Sequence, residues 1–212
     1  MKIGVLFDLD GTLLNTLEDL TDSTNYALSQ YGCPPRTIAE IRSFVGNGAA
    51  HQIRCALPGK ENDPPLEQVL ATYKAYYAEH AQIKTRPYDG ILQALEELKK
   101  ICPVAVVSNK PDSTVKLLAR QYFGDVYALG ETADCPRKPA PDMLYKGMEA
   151  IGAEKCIYVG DSEVDVLTAK NAGVPCLSVL WGFRDKDIIL QNGGTHFCSD
   201  PGDLVASLKA MM

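Results

Sequence analysis

Apolar positions along this chain follow two different patterns. Ile3 to Phe7 form a continuous apolar run that ends in Asp8-Leu9-Asp10-Gly11. Such a run suits a strand buried on both faces and feeding a loop. Val104–Val107, Ile157–Val159 and Val174–Val179 read the same way, with Val126–Leu129 a weaker candidate. Between these runs the spacing becomes helical. Over 90–100, Ile91, Leu92, Leu95 and Leu98 are placed on one face, and over 112–122 Val115, Leu118 and Ala119 share another. The stretch 163–172 is closed by Gly173 and Pro175, the usual end of a helix. Strands alternating with helices predict an α/β fold whose parallel, Rossmann-like sheet is covered on both faces.

Residues 17–86 interrupt that alternation. They carry no strand pattern and read as amphipathic helices at about 17–31, 36–43, 48–57 and 65–81. Gly32-Cys33-Pro34-Pro35 and a loop from Pro58 to Pro65 separate them. An all-helical segment between the first and second strands predicts an inserted domain. The core then comprises 1–15 and 88–212 and the insert 16–87, with junctions near Leu14-Asn15-Thr16 and Arg86-Pro87-Tyr88.

Composition narrows the partners. The 212 residues are 46% hydrophobic and 23% charged, with a formal net charge of -6. Excess negative charge disfavours nucleic acid, whose phosphates need clustered cations. A small anion can still be held by one local lysine and a metal ion. The seven cysteines form no C-x-x-C pair, so reduced thiols are expected rather than disulfides or a zinc site. The apolar run before Asp8 is too short for a signal-peptide core, and no later run reaches membrane-spanning length. A cytoplasmic protein with no membrane partner is the expectation. No sequence signal bears on oligomeric state.

The chemistry-bearing residues follow the predicted strands. Asp8 and Asp10 sit two apart just past the first one, so strand alternation lets both face one crevice. Two neighbouring carboxylates repel, so a cation or a proton must relieve them, and magnesium suits hard oxygen ligands. Gly160-Asp161-Ser162-Glu163-Val164-Asp165 follows another strand and precedes a helix. Asp161 is then a third strand-end carboxylate. Asp165, four residues on, is placed to hold a metal-bound water or to orient Asp161, and ordinary helix capping by Asp161 or Ser162 accounts for the same pattern. Ser108-Asn109-Lys110 ends the second long strand beside a proline-started helix, which serves either as an anion site or as a cap. Lys138, in Arg137-Lys138-Pro139-Ala140-Pro141, reads on its own as a solvated loop residue, as does the pair Glu131-Thr132.

The order D-L-D-G-T, S-N-K, K-P and G-D-S-x-x-D, each after a strand, resembles the haloacid dehalogenase superfamily of phosphohydrolases. The resemblance covers nearly the whole chain. The helical insert is similar to that superfamily's helical cap, and Ile41-Arg42-Ser43-Phe44-Val45-Gly46-Asn47-Gly48 is similar to its phosphoglycolate phosphatase branch. The resemblance implies a phosphatase acting on a small phosphorylated metabolite. Asp8 would be the nucleophile that carries the phosphoryl group and Asp10 the general acid–base. It implies Mg2+ held by the Asp8 carboxylate, the Asp10 carbonyl and Asp161. Ser108, the Asn109 amide and Lys138 would hold the phosphoryl oxygens, and Thr12 would brace the loop. Lys110 stands close enough to share or contest the role of Lys138. A phosphomutase or pyrophosphatase of the same superfamily, and a non-catalytic binding module, are the competing readings. Arg42 and Arg54 are candidate partners for a substrate carboxylate, with surface pairing the plainer reading.

Overall fold

The run Ile3–Phe7 becomes the strand that the rest of the sheet is built around. In the computed structural model, which describes residues 2–59 and 64–212, this strand is β1. Residues 60–63 of the expected Pro58–Pro65 loop lie outside the described residues. After β1 come β2 (Leu14–Asn15), α1 (Leu17–Ser29), α2 (Ile38–Phe44), α3 (Ala49–Ala56), α4 (Leu66–His80) and β3 (Arg86–Pro87). Then follow α5 (Ile91–Lys99), β4 (Val104–Pro111), α6 (Asp112–Phe123), β5 (Tyr127–Glu131), α7 (Asp142–Ala150) and β6 (Lys155–Gly160). The chain closes with α8 (Glu163–Ala172), β7 (Cys176–Val179), α9 (Lys186–Gln191), β8 (His196–Cys198) and α10 (Leu204–Lys209). By its internal contacts the chain divides into two compact units, Met1–Asn15 with Pro87–Met212, and Thr16–Arg86.

The first unit is an α/β fold. Its sheet has the order β5-β4-β1-β6-β7-β8, and the paired strands run parallel. Alternation decides which core each residue joins. Val5, Phe7, Val104, Val106, Ile157 and Val159 point to one face, where Leu95, Leu98, Val115, Leu118 and Leu204 cover them. Leu6, Ala105, Val107 and Tyr158 point to the other, against Met143, Leu144 and Ala169. Burial of each large apolar side chain contributes about 1.5–3 kcal/mol, and β1, β4 and β6 are each covered on both faces. Chain order runs outward from β1 to β4 and β5, then crosses back to β6 and beyond. That reversal puts the usual ligand position of such sheets at the carboxyl ends of β1 and β6.

Several expectations need correction. Leu92 is 45% exposed and not part of the buried stripe. The buried stripe is Ile91, Ala94, Leu95 and Leu98, spaced i, i+3, i+4 and i+7, and Leu92 falls outside it. β7 begins at Cys176 rather than Val174, because Val174 N–H still bonds the Ala169 carbonyl in the helix stop and Pro175 has no N–H for the ladder. β4 continues past Val107 through Ser108-Asn109-Lys110. The pattern also misses α7, α9, α10 and β8, all nine residues or shorter.

The second unit is a helical bundle. Val69, Tyr73 and Tyr77 of α4 and Leu20, Ala27 and Leu28 of α1 are buried in it. A reciprocal cap starts α2: Thr37 N–H donates to Glu40 Oε2 at 2.8 Å and Glu40 N–H to Thr37 Oγ1 at 3.2 Å. Buried Asp19 of α1 accepts from the backbone N–H of Lys84, at 2.9 and 3.0 Å, and of Thr85, at 2.8 Å. Among the described residues, no helix is long and apolar enough to cross a membrane.

Candidate active site

Asp8 is the first residue beyond β1, and its N–H still bonds the Val159 carbonyl at 2.8 Å, so the neighbouring strand fixes where its side chain starts. The chain then turns sharply: Leu13 and Leu14 N–H both donate to the Leu9 carbonyl, and Gly11 takes φ +81°. A Cβ on Gly11 would collide with the Asp161 carboxylate, so glycine is required for space as well as for backbone shape. Thr12 Oγ1 donates to Asp161 Oδ1 at 3.1 Å, which links the turn after β1 to the end of β6.

Lys138 is the centre of the charge network. The expectation that it would be solvated if taken alone fails, because its side chain is only 2% exposed. Its Nζ lies 3.0 Å from Asp8 Oδ1, 2.8 Å from Asp165 Oδ1 and 2.9 Å from the Tyr158 hydroxyl. An ammonium has three protons, and these partners account for all of them. Its backbone is held too. Asn109 Nδ2 donates to the Lys138 carbonyl at 2.9 Å and Lys138 N–H donates to Asn109 Oδ1 at 2.8 Å, so two opposed bonds clamp the loop to β4. Asp165 is bound on both oxygens: Oδ1 takes Lys138 and Tyr158, and Oδ2 takes Ser162 N–H and Oγ. It is thus the anchor of Lys138 and the reciprocal cap of α8, and these contacts do not include Asp161.

Lys110 goes elsewhere. Its Nζ pairs with Asp10 Oδ1 at 2.6 Å, and its N–H donates to Ser108 Oγ at 3.4 Å. Of the remaining sequence candidates, Glu131 pairs with Arg137 at 3.8 Å, Arg42 is half-buried on α2 and Arg54 is exposed on α3.

Three groups were not legible in advance. Tyr158 hides in an aliphatic run, although a buried phenol usually finds a partner for its hydroxyl. The turn after β7 contributes Phe183 N–H, which donates to Asp161 Oδ2 at 2.7 Å, and Trp181 Nε1–H, which donates to the Thr12 carbonyl at 3.0 Å. Between them Gly182 has no room for a Cβ against Asp161 and the Gly11 carbonyl. Their signal is only positional, a Trp-Gly-Phe turn at the carboxyl end of a parallel strand. The Asn109 side chain is the third, since sequence spacing says nothing about which loop it will reach.

The carboxylates are in electrostatic tension. Burial pushes Asp8 up to about 7, with Asp165 and Asp10 adding to the rise and Lys138 opposing it. Burial also raises Asp161 well above the carboxylate range, reinforced by Asp165 and Asp8. Asp165 stays below its ordinary value: burial works against its charge, but Lys138 and the surrounding donors prevail. Burial likewise opposes the Lys138 charge, and Asp165 and Asp8 outweigh it. Asp8, Asp161 and Asp165 can each bring one oxygen within 4.8 Å of the others, a set able to hold a metal ion. The donors are all hard oxygens, and a cation between Asp8 and Asp161 would stabilise two carboxylates whose charge is disfavoured first by burial and then by their acidic neighbours, so these residues fit a divalent metal.

Comparison with known proteins agrees with the topology. Residues 5–179 match the family described as haloacid dehalogenase-like hydrolase. A phosphoglycolate phosphatase of Rhodobacter capsulatus is 34% identical over 191 residues, 87% of each chain. Phosphoglycolate phosphatase 1 of Pseudomonas aeruginosa is 34% identical over 212 residues, 95% of this chain and 78% of its own. A solved structure from Lactobacillus delbrueckii subsp. bulgaricus, provisionally described as a phosphoglycolate phosphatase, superposes with a TM-score of 0.87 at 34% identity. It covers 98% of this chain and 99% of its own. With its strand-end aspartates, its sheet order and this match over most of its length, the chain belongs to the haloacid dehalogenase-like hydrolase family and is a phosphomonoester hydrolase.

Proposed function

We propose that this chain is a magnesium-dependent phosphatase of small phosphomonoesters, with 2-phosphoglycolate the leading substrate, and that it works through an aspartyl-phosphate on Asp8. The observation that carries the reading is the Asp8 carboxylate at the end of the central strand, 3.0 Å from the buried Lys138 ammonium. The names of the relatives support the substrate.

In this reading Asp8 attacks phosphorus in line while Asp10 gives a proton to the departing ester oxygen. Asp10 then takes a proton from the water that attacks the acyl phosphate, and Asp8 is released. Lys138, Ser108 Oγ and the Asn109 N–H hold the phosphoryl oxygens, over which transition-state charge spreads. Asp165, Tyr158 and the Asn109 side chain keep Lys138 in place, and Thr12 with Phe183 N–H aims Asp161. Mg2+ would be held by the Asp8 and Asp161 carboxylates and the Asp10 carbonyl. When bound it supplies positive charge between carboxylate and phosphate, so the two anions can approach. The helical unit Thr16–Arg86 is the proposed cap domain.

Phosphate release from 2-phosphoglycolate, pyrophosphate, a hexose phosphate and a phosphopeptide with Mg2+ tests the reading. The small monoesters should turn over, and rapid quench with labelled substrate should leave phosphate on Asp8. Efficient turnover with no label on Asp8 would refute the covalent route.

A further inference from the structure

The mechanism uses Lys138 and leaves Lys110 without a task. Among the described residues, the buried cationic side chains are Lys110, Lys138 and Arg184. Arg184 Nε is engaged by Glu163 at 2.9 Å, and Lys138 faces Asp8 and Asp165. Lys110 is as enclosed as Lys138, with its side chain 2% exposed, and it faces Asp10. Alternation along β4 explains the division: Asn109 points to the Lys138 loop, and Lys110 on the opposite side points to the turn after β1. Burying an ammonium is unfavourable unless it is paired or put to use.

What Lys110 can reach follows from Asp10. In the reaction above the Asp10 carboxyl touches the leaving oxygen, across a hydrogen bond of about 2.7 Å. Lys110 Nζ lies 2.6 Å from an oxygen of that same carboxylate. The ammonium therefore stands beside the leaving group, one carboxyl group away from the ester oxygen. A substituent one or two carbons from that oxygen falls within its range. A substrate that brings a second anion into a site already holding Asp8, Asp10, Asp161 and Asp165 needs a second cation there, and Lys138 is committed to the phosphoryl side.

We infer that the Lys110 ammonium selects the leaving group by pairing with a carboxylate borne one or two carbons from the ester oxygen. The substrate class is then the phosphate esters of short hydroxy acids. This inference rests on the phosphatase reading and adds the residue that reads the acid. In the free enzyme Lys110 pairs with Asp10, and the substrate carboxylate joins or replaces that contact.

The test compares kcat/KM for 2-phosphoglycolate with that for ethyl phosphate, in which a methyl stands where the carboxylate was. The parent enzyme should favour the acid by tenfold or more. Lys110→Met should reduce kcat/KM for 2-phosphoglycolate about 10–100-fold more than for ethyl phosphate, the worth of one hydrogen bond to a charged group, chiefly through KM. Lys110→Arg should recover most of the preference. Equal losses on both esters would show that Lys110 only positions Asp10, and would overturn the inference. A parent enzyme indifferent to the carboxylate would overturn it too, whether or not Lys110→Met folds. No phosphate release from any ester, 4-nitrophenyl phosphate included, would instead bring down the reading beneath it and the inference with it.

Discussion

Each of the two units buries an aspartate, and the two are treated in opposite ways. Asp19, in the helical unit, accepts hydrogen bonds from the backbone N–H groups of Lys84 and Thr85, which tie the segment after α4 to α1. Fixed donors of this kind replace water around a carboxylate. Asp8, in the α/β unit, has one backbone donor, the Leu9 N–H at 2.7 Å, and one ammonium, while two other carboxylates work against it. A buried acid with matched donors maintains a fold. A buried acid held against like charge marks a place where something positive is meant to enter.

That contrast can be broken in four ways. The largest expected effect is on Asp8→Asn, which removes the proposed nucleophile and should lower kcat by about 10⁴-fold or more. It should not unfold the protein. Asp8 rises from 3.8 to about 7 on folding, so its contribution to stability fades as pH climbs through that window. Without metal at pH 8 the Asn variant should therefore melt at or above the parent temperature, and a lower Tm would contradict the contrast. Next, Asp10→Asn should slow turnover about 10²–10⁴-fold on alkyl esters and less on an aryl ester, whose leaving group needs little protonation. Equal losses across leaving groups would remove the acid role.

Asp19→Ala should do the reverse. With the buried Thr85 N–H and the part-buried Lys84 N–H left unpaired it should lose about 1–3 kcal/mol in urea denaturation, while kcat measured well below Tm stays near that of the parent. A large kcat defect with unchanged stability would mean that the two aspartates are not distinct in kind. The smallest effect concerns metal. Below pH 7 a cation must displace a proton from Asp8, so affinity should fall by up to about tenfold per pH unit. The rise in Tm on adding Mg2+ should accordingly be greater at pH 8 than at pH 6, and an equal rise would argue against Asp8 as a ligand.

The same contrast explains what could be read from sequence. Asp8, Asp161 and Ser108 are legible because each follows an apolar run, and a strand end has one direction in which to present the next side chain. The helical unit is legible as helices, with α4 at Leu66–His80 against an expected 65–81. Lys138 on its own is not. Its burial depends on Asn109 clamping its backbone and on Asp165 waiting 27 residues further along, and neither leaves a local trace. α7 is hidden by the proline-rich approach at Pro139 and Pro141, which reads as continuing loop. Tyr158 and Phe183 escaped for a similar reason, since one acts from inside a strand and the other through its backbone.

The central place of β1 also bears on how the chain is made. Of the sheet strands β1 emerges first from the ribosome, yet its partners are β4 and β6, which begin at Val104 and Lys155. At roughly 5–20 residues per second, Ile3–Phe7 waits about 5–20 s for its first neighbour and longer for its second. Throughout that interval an apolar segment with unpaired edges is open to other nascent chains. The helical unit, complete by Arg86, can fold during the wait. Synthesis that stalls between Arg86 and β6 should therefore yield a product with a formed helical unit and an aggregation-prone β1 segment.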